Sequence, residues 1–355
     1  MKISIIGAGN GGQAIAGYLG LKGYIVSLYD RDTEKIKRLK EQGGIYLEGK
    51  INGFGEIYHF TDNLKEAIHD TELIMITTTA NAHKPIAEQL ASIIQDGQII
   101  VLNPGRTCGA LEFKQTLLNN NCYVKTYIAE AQTLVYACRI LKNGRVNIIG
   151  IKDEVLLAAL PANDTDYILN KIKTIYPCFT KAKNVLQTSL ENIGAIFHPC
   201  VLLFNAATIE RKTDFYFYRD MTPKIADFIE SFDKERIKVG KAYNIELLNV
   251  NQWISFAYQG TKGSTLCEKM KNNPAYYDIK SPSSIYTRQL MEDIPTGVLP
   301  IMELGKAAGL EMKLFDSMIS ICSTLLNVDF KKDGRTLESL GLCNLSKEEI
   351  LNNII

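Results

Sequence analysis

An excess of charge of one sign is what this sequence lacks. Forty lysines and arginines stand against 39 aspartates and glutamates, a formal net charge of +1. That balance leaves no electrostatic footprint for nucleic acid or an anionic membrane surface, so neither is expected as a partner. No apolar run approaches the roughly 20 residues of a membrane span. The chain enters its first apolar strand without a basic leader or cleavage site, so no signal peptide is expected. Its eight cysteines include no C-x-x-C pair and keep no spacing to histidine. That argues against a disulfide framework or a metal site, and for reduced, mostly buried thiols in the cytoplasm. Histidine is scarce as well: only His59, His69, His83 and His198 are available for proton transfer near neutral pH.

What is present is the composition of an ordinary globular enzyme, 46% apolar and 22% charged. The 355 residues suggest two domains, since one usually takes about 100–200 residues. The chain is organised around its first thirty. Lys2–Ile6 is a short apolar, β-branched run, as expected of a buried parallel strand. GAGNGG follows, with Gly7, Gly9 and Gly12 filling G-x-G-x-x-G and Asn10 and Gly11 between them, and a helix is expected to about Leu21. Gly7 permits the tight turn, Gly9 lets a pyrophosphate approach the backbone, and Gly12 lets helix and strand pack closely. The helix N-terminus offers N–H groups and partial positive charge to the phosphates. A second strand, Tyr24–Tyr29, ends in Asp30, eighteen positions after Gly12, where a carboxylate can accept hydrogen bonds from the adenine-side ribose. Strand, glycines, helix, strand and acid in that order predict a dinucleotide site. Asp30 argues for NAD, because it would repel the extra phosphate of NADP; Arg31 keeps NADP open by offering that phosphate a partner.

Leu73–Thr77 reads as a further strand opening into TTTANAH, with Thr78 as a cofactor contact; His83 either faces the cofactor or, the favoured reading, is a surface or helix-start residue. Gln98–Asn103 and Cys122–Ala129 continue the sheet. Thr133–Leu141 and Arg145–Ile151 form a hairpin across Asn143-Gly144, and Ala182–Leu186 is a last short strand or connector. After about residue 187 helical patterns dominate, at Ile193–Thr208, Pro223–Lys241, Val250–Gln259, Thr265–Lys271, Leu299–Ala308 and Phe315–Leu326. The expected fold is α/β: a Rossmann-type doubly wound parallel sheet over 1–186, then a mainly α-helical domain over 187–355.

A nicotinamide enzyme needs a proton donor beside the carbon that exchanges hydride. His198 sits in the apolar helical stretch ENIGAIFHPCVLLF, followed by Pro199, which loosens helix geometry. Taken alone, such a histidine is more often a satisfied core residue than a catalyst. The carboxylate to orient it is not chosen by spacing; the strongest candidate is Asp293, in a loop shaped by Pro295 and Gly297. Arg288, five residues earlier, suits a substrate carboxylate, and a charged surface loop is the plain alternative.

These stretches carry a resemblance. GAGNGG, LNPGRTCGALEF, EAQTLVYACR, NVLQTSLENIGAIFHP, FYFYRDMTP with FDKER, SPSSIYTRQLMEDIPTGVLPIMELG and DFKKDGRTLESLGL together resemble the opine dehydrogenase family, the octopine/nopaline dehydrogenases, essentially end to end. The resemblance implies reductive condensation: a 2-oxo acid such as pyruvate joins the amine of an amino acid, and NADH or NADPH reduces the imine. It implies that His198 and Asp293 are the catalytic pair and that Arg288 binds the 2-oxo acid carboxylate. Cys138 is then a candidate for the amino-acid pocket or a structural thiol, and Asn192 a candidate substrate contact. A homodimer stays open. The sequence departs from the family where Gly194 replaces a common asparagine, where Gln289 and Leu290 replace an aromatic–aliphatic pair, and where Cys108 replaces a glycine. Two other readings remain: a C=O reductase of ketopantoate or glycerol-phosphate type, using Lys212, Lys224 or Lys241 as general acid, and a dinucleotide-binding protein without turnover.

Overall fold

Four of the five residues of β1 (Lys2–Ile6) are buried, because the strand is covered on both faces and every side chain must be apolar or small. The computed structural model describes residues 1–258 and 260–355, so the Gln259 end of the helix expected from Val250 lies outside the described residues. The chain divides into two compact units, Met1–Ser189 with Asn352–Ile355, and Leu190–Leu351. The last four residues therefore belong with the first unit, where Ala162 N–H donates to Ile354 O at 2.8 Å.

In the first unit, strands β1, β2 (Ile25–Tyr29), β3 (Gly44–Gly49), β4 (Gly53–Glu56), β5 (His59–Thr61), β6 (Leu73–Ile76), β7 (Ile99–Leu102), β8 (Tyr127–Ala131), β9 (Tyr136–Lys142), β10 (Arg145–Ile151), β11 (Val155–Leu160) and β12 (Phe179–Lys181) make two sheets. The larger has the order β12-β11-β8-β7-β6-β1-β2-β5. From β5 to β8 its neighbours are parallel, with Ile3 opposite Val26 on one side and Leu73 on the other. The order reverses between β1 and β6, the switch point at which doubly wound sheets bind nucleotides. The smaller sheet, β4-β3-β10-β9, contains the expected hairpin across Asn143-Gly144. Its β3 and β4 were not anticipated, because GIYLEG and GFGE are too short and glycine-rich to show a clear period.

Helices α1 (Asn10–Leu21), α2 (Thr33–Gln42), α3 (Leu64–Ile68), α4 (His83–Leu90), α5 (Gly109–Asn119) and α6 (Thr165–Ile172) connect strands, and α7 (Val185–Leu190) follows the last of them. Two expectations are corrected. Of the two readings of Ala182–Leu186 the strand fails: pairing ends at Lys181, residues 182–184 are a connector, and the Asn184 side chain accepts from the N–H groups of Leu186 and Gln187 and starts α7. The strand expected over Cys122–Ala129 begins five residues later, at Tyr127.

The second unit is built from α8 (Gly194–Phe204), α9 (Ala206–Glu210), α10 (Pro223–Ala242), α11 (Val250–Ala257), α12 (Leu266–Lys271), α13 (Arg288–Met291), α14 (Leu299–Ala307), α15 (Lys313–Leu326) and α16 (Lys347–Asn353). Its spine is α10. Thr222 caps it, Pro223 fits its first turn, and Ala226, Ile229, Phe232, Arg236 and Val239 form the buried stripe. Phe232 stacks on Phe315 of α15, with centroids 4.1 Å apart. Glu235 accepts from the Leu314 and Phe315 N–H groups, placing a carboxylate at the start of α15.

Two glycines of the first turn respond differently to an added methyl group. A Cβ on Gly12 would lie 1.7 Å from Gly7 O, whereas one on Gly9 would meet nothing within 4 Å. Gly12→Ala should therefore lower stability by about 1–3 kcal/mol, the usual scale of overpacking, read as a fall in melting temperature. Gly9→Ala should melt like the parent and bind dinucleotide more weakly. Equal melting of the two variants would contradict this assignment.

Candidate active site

The first unit presents the glycine turn. Gly7 adopts φ +104°, which only glycine takes without strain, and Thr77 Oγ1 donates to Gly7 O at 2.8 Å. Asp30 braces the turn: Oδ2 accepts from the Ala8 N–H at 2.8 Å and from Lys35 Nζ at 3.0 Å, and Oδ1 accepts from the Asp32 N–H. Lys35 was not singled out from the sequence; its only signal is its place in the first turn of α2. Arg31 is exposed.

Asn10 Oδ1 accepts from the Ile140 N–H at 2.7 Å, tying the turn to β9. Gly11 packs against the Leu134 side chain. A cleft of about 440 Å³ runs past Gly9 and Asn10 to Lys35 and Arg38. Thr78 sits against Gly7, and its buried hydroxyl makes no hydrogen bond among the described residues. An open Gly9, a vacant hydroxyl and a cleft beside the start of α1 fit the pyrophosphate and ribose of a dinucleotide.

The second unit carries His198 on α8. Pro199 follows inside the helix and removes the N–H that would bond Ala195 O. Asp293 precedes a π-helical turn, Ile294–Val298, that leads into α14. The Pro295–Gly297 segment is therefore not the loop expected. Proline is tolerated at a helix start, and a wide turn of this kind often marks a functional site. Gly297 lets the turn press on α8, where a Cβ would come 2.6 Å from that of Ala195. His198 Nδ1 and Asp293 Oδ2 lie 2.6 Å apart. Asp293 is 2% exposed and His198 22%. An ionised carboxylate can only accept, so Nδ1 carries the hydrogen and Nε2 faces outward with no hydrogen bond among the described residues.

Aromatic residues of FYFYR surround the pair and were not singled out as site residues. Phe217 sets its edge to the His198 ring at 6.0 Å, and Tyr218 stacks on Tyr276 at 4.5 Å. Burial, then Tyr258 and Asp293, push the Tyr218 phenol up, so it stays protonated.

Arg288 is mostly exposed, and its Nε lies 2.8 Å from Glu292 Oε2, one helical turn on. Asn192 is buried just before α8, with its Nδ2 near Gly297. Cys138 lies in the first unit, where Sγ donates to Asn10 O at 3.4 Å; burial pushes its thiol up to about 11, so it is neutral near pH 7. His83 opens α4, as expected of a helix-start residue, but it is fully buried, which corrects its placement at the surface. All eight cysteines are free, five of them buried.

The base of α8 is held by a second, fully buried ion pair. Arg236 donates from Nε to Asp233 Oδ1 at 2.6 Å, from Nη1 to Leu190 O and from Nη2 to Leu248 O.

A Rossmann sheet with an open glycine turn, in a chain that also holds a carboxylate-braced imidazole, defines a nicotinamide-dependent oxidoreductase. Comparison with known proteins supplies the particulars. Residues 181–326 match the α-helical domain of NAD/NADP octopine/nopaline dehydrogenases, and residues 2–129 match the N-terminus of NAD-dependent glycerol-3-phosphate dehydrogenases. An opine dehydrogenase of Arthrobacter sp. (strain 1C) is 38% identical over 345 residues, 97% of this chain and 96% of that protein. The structure of octopine dehydrogenase with NADH and L-arginine aligns with a TM-score of 0.84 at 20% identity, covering 99% of this chain and 98% of that one. Yersinopine dehydrogenase with NADP+ bound aligns with a TM-score of 0.73 at 14% identity, covering 99% and 97%. The chain belongs to the opine dehydrogenase family, and it is an NAD(P)-dependent oxidoreductase. Among the described residues no helix is long and apolar enough to cross a membrane.

Removing one partner of a buried ion pair leaves an uncompensated charge. Asp233→Ala should destabilise the protein by about 3–5 kcal/mol, measured by denaturant unfolding. A loss below about 1 kcal/mol, the scale of an exposed pair, would show that Arg236 finds other compensation.

Proposed function

We propose that this enzyme condenses a 2-oxo acid with the amine of an amino acid and reduces the resulting imine to a secondary amine dicarboxylate. The observation that carries the reading is the 2.6 Å contact between His198 Nδ1 and Asp293 Oδ2. Asp293 orients the ring, and His198 Nε2 delivers a proton to the nitrogen as the C=N bond is reduced, so hydride to carbon and proton to nitrogen balance the step. The bound nicotinamide supplies the hydride. Gly7, Gly9, Asn10, Gly11, Gly12 and Thr78 would hold its nucleotide portion. Asp30 would meet the adenine-side ribose and favour NAD, with Arg31 available to the extra phosphate of NADP.

Arg288 would take the oxo acid carboxylate. Glu292 engages Nε, which leaves the two Nη groups for a two-pronged hydrogen bond. Asn192 and Cys138 are the remaining proposed contacts, toward the amino acid. The match to glycerol-3-phosphate dehydrogenases over residues 2–129 keeps C=O reduction as a second reading. That chemistry needs a lysine acid in the helical unit, and Lys212, Lys224 and Lys241 are all exposed.

Protein mixed with NADH or NADPH, pyruvate and each amino acid in turn, followed by absorbance of the reduced nicotinamide, separates the readings. Oxidation requiring both substrates supports the opine reaction. Oxidation with the oxo acid alone supports C=O reduction, and binding without turnover supports neither. His198→Ala should lower kcat by roughly a hundredfold or more, the scale of positioned acid catalysis, with dinucleotide affinity unchanged; near-normal turnover would remove His198 from the mechanism. Asp30→Ala should weaken NAD binding by roughly tenfold, the worth of a charged hydrogen bond, and NADP binding less, because Lys35 is then released toward the phosphate. Equal weakening would count against a ribose contact.

A further inference from the structure

Arg335 sits in DFKKDGRTLESLGL, a polar stretch with the composition of a surface segment, yet the residue is fully buried. The stretch lies between α15 and α16 and packs on the π-helical turn that follows Asp293. A Cβ on Gly334 would come 2.3 Å from Phe330 O and 2.4 Å from the Leu299 side chain, so only glycine lets the chain approach this closely. The Arg335 N–H then donates to Pro295 O at 3.0 Å. That carbonyl needs a donor from outside the turn. With bonds from residue i to i+5, its partner would be residue 300, which is Pro300 and has no N–H.

The side chain raises a question of charge. A guanidinium is always ionised, and out of water it requires anionic compensation. Four carboxylates of the helical unit are buried among the described residues: Asp233, Glu235, Glu292 and Asp293. Two are committed elsewhere. Asp233 holds Arg236 and the Val250 N–H, and Glu235 holds the N–H groups at the start of α15. Glu292 and Asp293 border the turn that Arg335 secures, and they pose the converse problem. Adjacent carboxylates drawn out of water tend to take up a proton. Glu292 lies 2.8 Å from Nε of Arg288, a side chain 62% exposed and screened by solvent. Asp293 faces His198, which is neutral once its proton is delivered, and the Tyr218 phenol, which is itself pushed up by that negative charge. A fixed, buried cation at this turn answers both needs.

We propose that the guanidinium of Arg335 balances Glu292 and Asp293 and so keeps Asp293 ionised, as the acceptor that orients His198. Arg335 is a positioning residue, and the inference rests on the assignment of His198 as proton donor made above.

Arg335→Gln removes the charge and keeps hydrogen-bonding capacity, whereas Arg335→Lys keeps the charge. Histidine labelled with 15N reads the bond directly by NMR, since the chain has only four histidines. In the parent the neutral His198 ring should carry its hydrogen on Nδ1. In the glutamine variant it should move to Nε2, because a protonated Asp293 donates to Nδ1 instead of accepting; the lysine variant should keep the parent pattern. The glutamine variant should also lose kcat by about tenfold to a hundredfold, the range for a lost orienting partner, with NADH affinity unchanged. In an Asp293→Asn background the same substitution should cost less than about twofold more, because the acceptor it sustains is already gone. A parent tautomer in the glutamine variant, losses that add to those of Asp293→Asn, or a lysine variant that behaves like the glutamine one each overturns the proposal. Should Arg335→Gln fail to fold, adding Glu292→Gln removes a charge of the other sign and should restore folding, and failure to do so overturns it as well. The tautomer is read without substrate, so it judges Arg335 even if the parent turns over no amino acid with an oxo acid, a result that fails the opine reading alone.

Discussion

A carboxylate withdrawn from water needs a partner of matching charge or hydrogen-bonding capacity, and in the helical unit Asp293 meets that need through His198. The bond is 2.6 Å long and Asp293 is 2% exposed. Much of the local architecture follows from keeping those two groups together. Pro199 frees a carbonyl one turn back in α8. The π-helical turn carries the chain on from Asp293, and Gly297 removes the side chain that would hold that turn off Ala195. The buried Arg236–Asp233 pair, reaching Leu190 O, secures the chain where it enters α8.

The nucleotide-binding unit solves a different problem, access rather than compensation. Gly12 and Gly7 are in steric contact that no side chain could share, while Gly9 beside them is open. Asp30 serves the turn as well as any ligand, because it accepts from the Ala8 N–H and from Lys35 at once. Its charge is therefore partly compensated within the turn itself.

The central parallel strands, α1 and the long helix α10 were legible because local pattern and burial agree there. A strand covered on both faces is apolar throughout, and a helix packed on one face repeats its apolar residues every three or four positions. Agreement failed where pairing or capping decides. GIYLEG and GFGE gain their identity as β3 and β4 from neighbours distant in sequence, and Asn184 turns an expected strand into α7 by capping it. His83 looked like a surface residue because nothing nearby in sequence says that the start of α4 is buried.

By itself the sequence determined the nucleotide turn and the family. The turn depends on contacts within thirty residues, and the family on motifs spread through the whole chain. Tertiary structure decided which acid meets His198. Ninety-five residues of chain separate it from Asp293, and only the fold of the helical unit brings a hydrogen-bond donor within reach of an acceptor that far along the chain. It likewise decided that Lys152, just past β10, meets Thr133, just past β8, since the two segments come together only when the strands that carry them are placed.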